Sequence, residues 1–113
     1  MAPNDRSGVI ALAETRGLIP GPGGEHFGTP LKRGTLRLLL SLPVHPNQQR
    51  PHEQDELYFA VQGSGVLVHG GSRSLFRAGD AMFVAAGTEH HFADFTDDLA
   101  VWVVFYGRPG GEE

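Results

Sequence analysis

From Leu36 onward the chain alternates short runs of β-forming residues with turn residues. Strands are predicted at Leu36 to Leu42, Glu56 to Gln62, Val66 to His69, Ser74 to Arg77, Ala81 to Val84, His90 to Phe95 and Leu99 to Tyr106. Seven or eight short strands separated by turns imply an all-β barrel or jelly roll. Gly70-Gly71 suits a tight hairpin, because glycine tolerates the positive φ angles such turns demand. The segment Gly63-Ser64-Gly65 reads as a second hairpin turn. No segment keeps a helical period over three turns. Upstream, Pro20 to Gly24 is a run of Pro and Gly, and Val9 to Leu12 has the composition of a short strand. The expected organisation is an N-terminal arm over residues 1–30 and a single barrel domain over residues 31–113.

Period-two alternation in the strand beginning at Glu56 separates Glu56, Tyr58, Ala60 and Gln62 from Leu57, Phe59 and Val61. The mixed face suits a ligand-lined interior. The apolar face must then be covered from outside, and the closing run Leu99 to Tyr106 is apolar on both faces. A homodimer is the expected arrangement.

Composition narrows the partners. The net charge is −4, and nine Lys and Arg residues are scattered along 113 positions, so no electrostatic footprint for nucleic acid is present. The absence of cysteine removes disulfides, thiolate nucleophiles and Cys-based metal sites. No apolar run approaches the length of a membrane span, and a soluble, cytoplasmic protein is expected. The Gly-rich pieces lack the Lys-Ser/Thr of a phosphate loop and the strand–turn–helix setting of a dinucleotide site.

A metal in this chain must be held by N and O donors. His52 and Glu56 lie just before and within one β-rich run, and His90 follows Gly87-Thr88-Glu89 at the start of another. Two imidazoles and a carboxylate are a usual set for a first-row transition metal with open positions for water or substrate. His52, Glu56 and His90 are the proposed ligands. His91 is adjacent to His90, so only one of the two can point inward from a strand; the spacing from Gly87 selects His90. His26, His45 and His69 lack such a context and read as solvated loop or hairpin residues. Glu53 and Asp55 are either simple surface carboxylates or groups that orient His52 or act as base. Tyr58 and Trp102 are candidates to line the pocket, with core packing as the alternative.

Residues Arg50 to Asp94 resemble the two signature motifs of the cupin superfamily. Glu56 and Gly63 keep the spacing of the first motif, with His52 where its second His belongs, and Gly79, Gly87 and His90 match the second. The resemblance implies a cupin-type jelly-roll β-barrel. It also brings three departures: Arg50 at the first-His position, Ala85 in place of Pro, and Asp94 in place of the closing Asn. Arginine has no lone pair for a metal, so the family's four protein ligands become three. Gln48, Gln49, Gln54 and His45 are candidate fourth donors. Arg50 itself can pair with a substrate carboxylate or phosphate.

The resulting expectation is a small mononuclear cupin holding Fe, Mn, Ni, Cu or Zn and acting on a small polar organic molecule. Oxygenase chemistry comes first, since Fe(II) needs a two-His, one-carboxylate set with vacant positions, and isomerase or lyase chemistry comes next. Arg50 is the candidate substrate anchor and Tyr58 a pocket hydrogen-bond donor. The alternatives are a non-catalytic module that binds or senses a small ligand or metal, and an empty scaffold in which the charge of Arg50 opposes metal binding.

Overall fold

A computed structural model describes residues 7–47 and 49–112. It contains one short helix, α1 (Leu12–Arg16), and eight strands: β1 (Phe27–Arg33), β2 (Leu36–Ser41), β3 (Asp55–Gln62), β4 (Ser64–His69), β5 (Ser72–Arg77), β6 (Ala81–Val84), β7 (His90–Ala93) and β8 (Ala100–Tyr106). They form two antiparallel sheets, one of five strands in the order β1-β2-β8-β3-β6 and one of three in the order β5-β4-β7. The fold is the expected all-β barrel, built as two facing sheets rather than one continuously hydrogen-bonded ring.

The seven strands expected from Leu36 onward are all present, with ends shifted by a residue or two. The arm differs more. Where Val9 to Leu12 suggested a strand, Leu12–Arg16 forms a single helical turn and a half. Its residues, Leu-Ala-Glu-Thr-Arg, are mostly good helix formers, and the Thr15 N–H and hydroxyl both donate to the Ala11 carbonyl. Strand β1 also begins at Phe27, inside the stretch assigned to the arm, and pairs with β2 from Phe27↔Ser41 to Arg33↔Leu36. It carries Pro30 at a register irregularity, which fits an edge strand, since proline cannot donate to a ladder.

The Gly70-Gly71 hairpin is as expected: both glycines have positive φ, and His69 pairs with Ser72 across the turn. Gly63-Ser64-Gly65 is not a hairpin. β3 and β4 belong to different sheets, so Gly63, with φ +83°, turns the corner between them. A Cβ there would run into the Thr96 hydroxyl and the Leu99 backbone, so glycine is required by space as well as by φ.

The core lies between the sheets. Leu39 of β2, Val101, Val103 and Phe105 of β8, and Tyr58 and Ala60 of β3 face Leu67 of β4 and Phe92 of β7. Each fully buried aliphatic side chain contributes about 1.5–3 kcal/mol relative to exposure. The opposite face of the five-stranded sheet is also apolar. Leu38, Val104, Leu57 and Phe83 form one row across β2, β8, β3 and β6, and Leu40, Trp102, Phe59 and Ala81 form the next. The α1 turn and the residues after it pack over the β1–β2 end, where Gly28 admits the Leu18 side chain. At the other end Phe59 is 40% exposed and Phe83 54%.

Candidate metal centre

The three proposed ligands come from both sheets. Glu56 projects inward from the start of β3, paired with Val84 and Phe105. His52 lies in the segment entering that strand, and His90 opens β7 in the other sheet. One donor atom from each lies within 4.8 Å of the other two. Glu56 Oε1 is 3.1 Å from His90 Nε2 and 3.9 Å from His52 Nε2. Glu56 and His90 are buried, 2% and 3% exposed, and His52 is half-buried.

The chemistry of the donors identifies what the cluster lacks. His90 Nδ1 is 2.8 Å from the Thr88 carbonyl, which can only accept, so Nδ1 carries the proton. In neutral His90 the Nε2 lone pair then looks at the Glu56 carboxylate. The two atoms stand 3.1 Å apart, and Glu56 Oε1 and His90 Nε2 are both buried with no hydrogen-bond partner. Two buried acceptors facing each other repel unless a cation joins them, either a proton on His90 or a metal. The residues therefore fit a divalent ion, with the Thr88 contact fixing the tautomer and ring plane as in known imidazole–metal sites.

Burial opposes the charged form of His90, but the Glu56 carboxylate and the Thr88 carbonyl outweigh it and hold its pKa above the usual histidine value. For His52, burial is the largest influence and lowers the pKa; Glu56 opposes, while His90 and Arg37 add to the lowering. His52 is thus biased toward the neutral, ligating form, and its ring packs edge-on against Phe105 at 4.7 Å.

Tyr58, a member of the core cluster, lies beside this group, with its hydroxyl donating to Gln49 Oε1 at 2.8 Å. Burial, reinforced by Glu56, pushes its pKa well up and keeps the phenol protonated. Gln49 in turn donates to Asn47 Oδ1, which also accepts from the Phe92 backbone N–H at 2.8 Å. Gln49 remains near the site but is committed to this chain. Two other fourth-donor candidates are turned elsewhere. His45 stacks on Phe95 at 3.8 Å and bonds its carbonyl, and the Gln54 amide nitrogen donates to the Thr35 and Gly107 carbonyls, both at 2.9 Å. Gln48 lies outside the described residues.

A cavity of about 690 Å³ opens over the cluster, bordered by His52, Glu56 and Tyr58. Arg50 borders it too and is exposed. Trp102 does not; it alternates onto the outer face of its strand, between Leu40 and Phe59. Asp55 is buried rather than a surface carboxylate, and it is engaged by backbone. Its two oxygens accept from the Ala86 and Glu112 backbone N–H groups, both at 2.9 Å. Arg37, Asn47 and His26 border the cavity and were not visible as site residues in the sequence. For Arg37 the alternation of β2 placed it with Leu39, but only the β2–β8 pairing shows that this face looks inward.

Residues 42–106, more than half of the chain, match the family model described as the cupin domain. The chain therefore belongs to the cupin family. It is 39% identical over 59 residues to an uncharacterized protein of Streptomyces coelicolor, a match covering 52% of this chain and 56% of that one; the match thus spans little more than half of that relative's length. Among solved structures it is similar to a cupin 2 conserved barrel domain protein of Salinispora arenicola (TM-score 0.61, 19% identity, 72% of this chain and 74% of that one). It is also similar to Fe(II) HppE (TM-score 0.59, 22% identity, 71% of this chain and 48% of that one). At these identities the structures show a shared fold. Among the described residues, no helix is long and apolar enough to cross a membrane.

Proposed function

We propose that this chain is a mononuclear metal-dependent enzyme acting on a small polar organic molecule, with His52, Glu56 and His90 as ligands and oxygenase chemistry as the first assignment. The observation that carries it is the buried confrontation of Glu56 Oε1 with His90 Nε2, neither of which has a hydrogen-bond partner. A bound Fe, Mn, Ni, Cu or Zn ion would supply Lewis-acid polarisation of the substrate or, as Fe(II), open positions for substrate and O2 together. The chain supplies the rest. Glu56 brings the single negative charge, Thr88 and Phe105 fix the two imidazoles, and Leu39, Val103 and Phe105 form an apolar wall. The iron in HppE supports iron as one of the candidate ions by analogy of fold.

A non-catalytic barrel that captures a small ligand is the second reading, favoured by Arg50 standing where the family motif has a first His. A second copy of the chain is the proposed cover for the outer sheet face. Its two rows carry no charged side chain, so the same face meets itself about a two-fold axis without like-charge repulsion.

The test is elemental analysis of protein purified without tag or chelator, beside His52→Ala. About one equivalent of a transition metal, lost in the variant, is expected. No metal in the wild type after reconstitution with each of the five ions would reject the enzyme reading in favour of the binding module.

A further inference from the structure

The chain as a whole is acidic, yet its cavity is not. Glu56, already committed to the ligand cluster, is the only carboxylate bordering the cavity among the described residues, whereas Arg37 and Arg50 both border it. With a divalent ion on the cluster the lining carries a clear positive excess. Such a concave, partly apolar site raises the local concentration of small anions.

The two arginines are not equivalent. Arg50 is exposed in an irregular segment. Arg37 is half-buried on β2, paired in register with Phe105. Its guanidinium carbon lies 4.6 Å over the Phe105 ring, the same ring against which His52 packs. Gln54 holds it from the side. The two donor bonds of its amide nitrogen to Thr35 and Gly107 aim Gln54 Oε1 at Arg37 Nη2, 3.5 Å away. No carboxylate forms an ion pair with Arg37 among the described residues. A guanidinium with five N–H groups, stacked, oriented and lacking an anionic partner, is pre-organised for a carboxylate, which it can grip with two parallel hydrogen bonds. Because its orientation is already fixed, binding sacrifices less side-chain freedom than it would at Arg50.

We propose that Arg37 is the anion anchor of this cavity and that the ligand is a small organic acid. Its carboxylate docks on Arg37 and its hydrocarbon part lies against Leu39, Val103 and Phe105. This deepens the substrate reading given above and rests on it only in using the same cavity.

The experiment is calorimetric titration with pentanoate and with its uncharged isostere pentanamide, on protein as purified and again after chelator treatment, with folding followed by circular dichroism. Pentanoate is expected to bind at least about tenfold more tightly than pentanamide in both preparations. Arg37→Gln removes that preference, Arg37→Lys keeps part of it, and Arg50→Gln changes it by less than about threefold. Equal binding of acid and amide by the wild type overturns the proposal without any variant. A preference lost when the metal is stripped places the carboxylate on the metal, and a preference lost only in Arg50→Gln places it on Arg50; each overturns the assignment to Arg37. The chelator-treated arm stands even if elemental analysis finds no metal, so the two readings fail separately.

Discussion

Gly87 donates its backbone N–H to the carbonyl of His52 at 2.7 Å, so the loop that delivers His90 is tied to the segment that delivers His52. The two cupin motifs, far apart in the chain, are thereby fixed to one another beside the ligand cluster. Gly87 adopts φ +79° with open space where a Cβ would stand. Only backbone strain opposes a side chain there, about 1–2 kcal/mol for a left-handed non-glycine residue. Gly87→Ala is therefore expected to lower unfolding stability by about that amount and to weaken metal retention by displacing His52 relative to His90. Denaturant unfolding and metal content of the same preparation check both.

Asp55 joins three segments: its own strand, the Ala86 turn and the tail at Glu112. The Glu112 and Ala86 N–H groups lower its pKa, with burial opposing. A carboxyl whose folded pKa is depressed contributes stability above its unfolded value, about 3.9, and loses it as pH falls through the lower folded value. Asp55→Asn should lower the thermal midpoint at neutral pH, and the gap from wild type should close below about pH 4. A gap independent of pH would show that the charge of Asp55 is not what matters. Gly111 belongs to the same device, since a Cβ there would stand 2.8 Å from Asp55 Oδ1.

The Tyr58 hydroxyl is the inner end of a hydrogen-bonded chain through Gln49 and Asn47 to the Phe92 backbone. Tyr58→Phe removes one bond from it and is expected to cost about 1 kcal/mol of stability. Because Tyr58 is not a proposed ligand, metal content should be unchanged. Equilibrium unfolding with parallel elemental analysis separates the two effects, and loss of metal would give the phenol a larger role at the site.

Phe59 and Phe83 stand on the outer face, out of phase with Glu56 and Tyr58. Phe59→Lys combined with Phe83→Lys is expected to yield a monomer that keeps its metal, read by light scattering on a sizing column. A wild-type protein that already runs as a monomer would refute the proposed dimer.

Much of the site could be read in the sequence because its donors sit in short motifs whose spacing is local. Strand alternation fixes which side of β3 bears Glu56 and Tyr58, and the glycine before His90 selects it over His91, which is exposed. Asp94 is similar: it adopts φ +50°, a conformation Asn and Asp tolerate better than most residues, so Asp in place of Asn still serves. Sequence could not place Arg37, Asn47 or His26, because each reaches the cavity through pairings or loop paths that join distant segments. Nor could it tell that Gln54 orients Arg37 rather than approaching the candidate metal site.

The sequence by itself determined the β-rich barrel, the three candidate donors and the polar inner face of β3, since period, turn chemistry and ligand type are properties of neighbouring residues. Only the tertiary structure decided that His90 meets Glu56 across the two sheets, that Asp55 fastens the tail, and that the cavity of an acidic chain is lined by arginine. Those outcomes depend on which strands become neighbours, which is set by the closing of the sheets over a common core rather than by any local run of residues.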